Sequence, residues 1–178
     1  SDTIAANTRT LTITATDADG AYSHITKDIV VTSVNDAPSF SAGATLTAVD
    51  EDASAPAGAT VSSLLGANFT DVDSDALSGI AITADAGNAT TEGQWQYSTD
   101  SGSNWFDVSD TAVSTTAALL LDTSAQLRFL PNANYNGTPG SLTVHAVDDS
   151  AATTFTSGGT RQTFDTTSDD ATSKVSVG

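Results

Sequence analysis

The chain has 178 residues and carries a net charge of -17, five basic residues standing against twenty-two acidic ones. That balance argues against nucleic-acid partners and anionic membrane surfaces, and no apolar run approaches the length of a membrane span. Cysteine is absent, which excludes disulfides, zinc-thiolate sites and cysteine nucleophiles together.

Residues 9–16 (RTLTITAT) alternate with period two and predict a strand, Asp17-Ala18-Asp19-Gly20 its turn, and 23–34 the return strand. Asn35-Asp36-Ala37-Pro38 ends that hairpin, because proline removes a ladder donor and forces the preceding residue to extend. Residues 1–36 therefore read as the closing hairpin of a preceding or split β-sandwich, and 37–178 as a complete sandwich module. Ser1 looks like a cut made inside a larger protein, and no signal peptide is visible.

In the second unit the strand candidates are 44–49, 60–65, 77–83, 93–98, 104–108, 117–121, 126–130, 141–147 and a last one near 173–177, with 62–68 as a competing helical turn. Nine short strands separated by Gly, Asn, Asp and Pro predict an all-β, antiparallel sandwich. Residues 153–172 are polar and long for a plain loop. One internal echo is present. Leu11-Thr12-Ile13-Thr14-Ala15-Thr16-Asp17 matches Leu142-Thr143-Val144-His145-Ala146-Val147-Asp148, 131 residues on, which is the mark of tandem domains.

Twenty of the acidic residues are aspartate; only Glu51 and Glu92 are glutamate. A chain needing only negative charge could use either acid. Aspartate also braces turns and presents oxygens to a hard cation from a tight loop. The expected cofactor is therefore Ca2+, in several ions. One group gathers Asp17, Asp19, Asn35, Asp36, Asp50, Glu51 and Asp52 near the junction of the two units. Asp71-Val72-Asp73-Ser74-Asp75 has the spacing that opens an EF-hand loop, but Ala76 and Ile82 stand where glycine and glutamate belong. A calcium site of another geometry, or a solvated turn, is expected from Asp71, Asp73 and Asp75. Asp148 and Asp149, with Asp165 or Asp169-Asp170, would form a further group at the other end.

Ser98-Thr99-Asp100-Ser101-Gly102-Ser103-Asn104-Trp105 fits the Asp-box pattern, a hairpin brace that is structural in most settings. Trp95 and Tyr97 share a face and read as core aromatics. His24 and His145 are lone strand residues without a triad, and acids are too abundant for any pair to mark glycosidase chemistry. The chain reads as no enzyme. Phe155, Arg161 and Phe164, in a stretch otherwise poor in such groups, are candidates for ligand contact.

Several segments resemble giant repeats-in-toxin (RTX) adhesins of Gram-negative bacteria. Val34-Asn35-Asp36-Ala37-Pro38 looks like the junction between their cadherin-like or immunoglobulin-like repeats, and Leu46–Ala53 like the opening of the next repeat. Gly93–Ser98, Leu127–Pro131 and Asn134–Gly137 are similar to interior signatures. The resemblance implies a type I secreted, extracellular module on the bacterial cell surface, stiffened by calcium and acting in cell adhesion and biofilms. It implies adjacent repeats of the same adhesin as partners, a peptide or glycan ligand on a host or neighbouring cell, no membrane insertion and a monomeric state. The alternative is a non-catalytic, carbohydrate-binding accessory domain of a secreted polysaccharide-degrading enzyme, which a sugar-sized groove lined by Trp95, Tyr97 or Trp105 would favour.

Overall fold

In a computed structural model the regular structure of the chain is mostly antiparallel strand; the residues described are 8–168 and 174–176. It divides between Val34 and Asn35 into two units. That is two residues before the proline-marked stop, because Asn35 and Asp36 are half-buried within the second unit and the Asp36 amide donates to Asp73 Oδ2 at 2.6 Å.

The first unit is a hairpin of β1 (Thr8–Thr16) and β2 (Tyr22–Val30), paired along its whole length. The pairs Leu11↔Lys27 and Ile13↔Ile25 fall on one face, and a threonine-rich row occupies the other. Asp17 closes the turn, its Oδ1 accepting the amides of Asp19 and Ala21, and Gly20 supplies the left-handed residue at φ 83°.

The second unit runs β3 (Ser39–Phe40), β4 (Ala59–Thr60), α1 (Val61–Leu65), β5 (Phe69–Thr70), β6 (Leu77–Asp85), β7 (Gly93–Ser98), β8 (Phe106–Asp107), β9 (Ala118–Asp122), β10 (Gln126–Pro131), β11 (Leu142–Asp148) and β12 (Thr163–Phe164). One sheet has the order β4-β10-β7-β8 and the other β11-β6-β9-β12; β3 and β5 form a separate short pair. Ile80 and Ile82 of β6 and Leu119 and Leu121 of β9 meet Tyr97 of β7 and Leu127 of β10 in one buried core. The unit is thus an all-β sandwich, and each of those aliphatic side chains contributes roughly 1.5–3 kcal/mol by leaving water.

Three features depart from simple alternation. The leucine run of β9 is buried throughout because its sheet is covered on both faces. Leu119 and Leu121 point to the main core, while Leu120 joins Ala81, Ala118, Val147 and Val175 under Phe155 and Phe164. Where 60–65 read as a strand and 62–68 as a competing helical turn, Thr60 ends β4 and 61–65 form α1, with Thr60 Oγ1 capping the Ser63 amide and a further turn of helix at 66–68. Residues 44–49 alternate as a strand should but enter no ladder. They line an apolar cavity of about 610 Å³ together with Trp95, Phe129, Leu142 and Val144.

The echo between β1 and β11 extends to their hydrogen bonds. Asp17 N–H donates to the Ala21 carbonyl at 2.9 Å; 131 residues on, Asp148 N–H donates to the Lys174 carbonyl at 2.9 Å. Thr16 pairs with Tyr22, and Val147 with Val175. The same hairpin is therefore started twice. In the second unit its turn is replaced by residues 149–173, whose described part carries Phe155 and Phe164 over the outer face and lays β12 against β9.

Candidate metal centre

The loop from β5 to β6 folds on its first aspartate. Asp71 Oδ1 accepts the amides of Asp73 at 2.7 Å and Asp75 at 3.2 Å, and Ser74 takes a left-handed φ of 71° so that the chain can reverse within the turn. The ladder between β11 and β6 pairs Asp148 with Leu77, which brings the end of β11 to the mouth of this turn. Asp149 Oδ1 holds the Ala76 amide at 2.8 Å and fixes the approach. Carboxylate oxygens of Asp71, Asp75 and Asp148 consequently lie within 4.8 Å of one another.

Asp148 is fully buried. Its Oδ1 accepts from the Ser150 amide and hydroxyl, but its Oδ2 is buried with no hydrogen-bond partner. Asp71 Oδ2 is in the same condition. A buried carboxylate oxygen without a donor is costly, and three like charges at this spacing repel. The Asp75 carboxyl is pushed above its ordinary range, first by loss of hydration and then by Asp71, Asp148, Asp149 and Asp73.

Such a cluster can be neutralised by protons or by a cation. Two orphaned oxygens facing an oxygen-only donor set fit a hard divalent ion, calcium above zinc, because no imidazole or thiolate belongs to the group. The residues that would hold it are Asp71, Asp75 and Asp148.

The other expected ligands sit elsewhere or serve other bonds. Asp73 Oδ2 accepts the Asp36 amide, joining the start of the second unit to the acidic turn. Asn35 Nδ2 donates to the Asp36 carbonyl. Asp52 Oδ1 accepts the Asn134 amide at 3.1 Å, Glu51 Oε2 accepts from Asn136 Nδ2, and the Asp50 carbonyl accepts the Ala53 amide. Asp50-Glu51-Asp52 thus lies against the loop after β10 and does not enter the three-carboxylate group. Asp17 is occupied with the β1–β2 turn, to which Asp19 contributes its amide. Asp165 Oδ1 accepts the Thr167 amide and hydroxyl, bonds that hold its carboxyl below the usual range. Asp169 and Asp170 lie outside the described residues.

Phe155, Arg161 and Phe164 are built into the scaffold. Phe155 and Phe164 pack on the second apolar cluster. Arg161 donates to the carbonyls of Asp107, Val108 and Thr111, clamping the excursion after β11 to the segment after β8. Trp95 Nε1 donates to the Gly140 carbonyl, Tyr97 is buried, and the Arg128 guanidinium lies 4.0 Å over the Trp105 ring. In the Asp box, Asp100 accepts from Ser98 and twice from Asn104, bonds that lower its carboxyl to about 2.

No protein-family model matches the chain, and neither characterised proteins nor solved structures give a match.

Proposed function

We propose that the second unit is a calcium-dependent module of an extracellular bacterial adhesin, one that extends and stiffens the chain and offers a β-sandwich for contact with a peptide or glycan. The observation that carries this reading is the convergence of Asp71, Asp75 and Asp148 with two buried oxygens left without donors. An ion there would join the β5–β6 turn to the end of β11. Through the bond from Asp36 to Asp73 it would also stiffen the point where the chain enters the sandwich. Neutralisation only after export to calcium-rich surroundings would couple rigidity to location. The RTX-like junction motif supports adjacent repeats as partners and type I secretion as the route. Tyr97 is taken up by packing, whereas Trp95 lines the apolar cavity, and that cavity is the observation that favours a sugar-binding accessory domain as the second reading.

Calcium titration followed by thermal unfolding tests it. Extracellular sites have Kd values on the order of 0.1–1 mM, so a hundredfold excess stabilises the folded form by about 2.7 kcal/mol. A melting temperature indifferent to calcium and to chelator would refute the proposal.

A further inference from the structure

The apolar cavity beneath residues 44–49 lies wholly within the second unit, and every residue on its wall is among those described. Its volume, about 610 Å³, matches that of small-molecule sites, which run from about 300 to 1,000 Å³. Leu64 and Leu65 of α1, Leu127 and Phe129 of β10, and Leu142 and Val144 of β11 give it an apolar interior. Trp95, Phe129 and Tyr135 stand in series along the wall, with successive ring centroids 5.4 and 6.3 Å apart. The Trp95 indole N–H is bonded to the Gly140 carbonyl, so the indole offers the cavity carbon and no donor.

The mouth has a different chemistry. Asp50 and Glu51 line it, and both are exposed. Among the described residues no hydrogen bond occupies the Asp50 carboxylate, and Glu51 accepts only a long one, 3.5 Å from Asn136 Nδ2. No cation of the second unit answers these charges. Arg128 lies over Trp105 and donates to Gln96 and the Pro56 carbonyl. Arg161 is engaged with three carbonyls, and Lys174 lies over Phe164.

We infer that the cavity binds an amphipathic amine, its apolar body among the leucines and aromatic rings and its cationic head between Asp50 and Glu51. Burial of the body supplies the affinity. The two unanswered carboxylates supply the selection, by charge complementarity. Residues 44–49 are the wall that yields on entry: among the described residues they make no hydrogen bond, so they move without breaking a ladder. A glycan would leave hydroxyls unpaired against the aliphatic interior, so the lining suits the amine better. Asp71, Asp75 and Asp148 are not on this wall, and the inference does not rest on the calcium reading.

The probes are phenylbutylammonium, phenylbutanol and phenylbutyrate, one apolar body with three heads. Each is titrated into the whole chain, and backbone amide and tryptophan indole N–H shifts are followed by NMR. Saturable shifts are expected at residues 43–51, at the Trp95 indole and at Leu142 and Val144. Two exposed ion pairs make the ammonium bind about tenfold tighter than the alcohol, and the carboxylate binds weakest. In D50N/E51Q the ammonium and the alcohol bind alike, while the affinity of the alcohol stays at the parent value, which shows the cavity intact. Chelator and calcium give the same affinities. The inference is overturned if no probe saturates these shifts, if the three heads bind alike, or if the preference for the ammonium survives D50N/E51Q. It is equally overturned if cellotetraose displaces the amine, which gives the cavity to a glycan, or if calcium displaces it, which gives the mouth to the metal. Melting of the same samples with and without calcium reads the metal proposal separately.

Discussion

Replacing Asp148 with Asn separates the metal-free cost of the acidic cluster from its metal-bound benefit. The substitution keeps the acceptor at Oδ1 for Ser150 and removes one of three converging charges, at the position that is fully buried. Two unit charges about 5 Å apart repel by roughly 3 kcal/mol at an effective dielectric of about 20. Asp71 and Asp75 are part-exposed, and solvent screening reduces the net relief to about 1–2 kcal/mol. The new amide also offers a donor to the orphaned Asp71 Oδ2. In the presence of chelator, D148N is therefore expected to melt about 3–6 °C above the parent protein. If calcium binds as proposed, the order reverses with calcium in large excess, the parent gaining about 2.7 kcal/mol and the variant little. Near-ultraviolet circular dichroism follows the second unit, which contains both tryptophans. If D148N is the less stable protein in chelator, or if the curves do not cross as calcium is added, the reasoning about this cluster is wrong.

Asp100 has a depressed carboxyl, so its contribution to folding is present above the ordinary value of 3.8 and is lost as pH falls through about 2. NMR titration of its side chain should give a midpoint near 2, and N104A should move that midpoint upward by removing the largest of its donors. Gly79→Ala would drive a methyl into the Leu121 carbonyl and the Phe155 ring, and is expected to cost about 2–3 kcal/mol in chemical denaturation. Arg161→Ala removes the clamp on three carbonyls and should lower stability by about 2 kcal/mol while exposing residues 149–168 to limited proteolysis. R161K would recover only part of the loss, because an ammonium lacks the planar fork.

The sandwich was legible because its strands announce themselves. Residues 93–98 and 126–131 alternate cleanly and end at turn residues, and both form strands as their patterns require. Residues 44–49 alternate equally well without pairing, because a ladder needs a neighbour that no local pattern specifies. The acidic site was half legible. The spacing of Asp71, Asp73 and Asp75 marks a turn, but only the register of β11 on β6 delivers Asp148 to it, and register is a long-range property. Sequence reasoning instead grouped Asp148 with later aspartates. The packing of Phe155 and Phe164 on a second apolar face was not legible, because nothing in a single sequence reveals that the sheet beneath them is covered on both sides.

The stretch between Asp148 and Lys174 gives the second unit a different order of assembly from the first. In β1–β2 the ends of the turn meet after a few residues, so zippering follows at once. Across residues 149–173 the loop to be closed is several times longer, an added entropic toll of about 2 kcal/mol. That closure must await the docking of Phe155 and Phe164 on the finished sheet. The edge beside β11 should thus be the last part of the second unit to form and the first of it to fray, and hydrogen exchange should find that unit's weakest protection there.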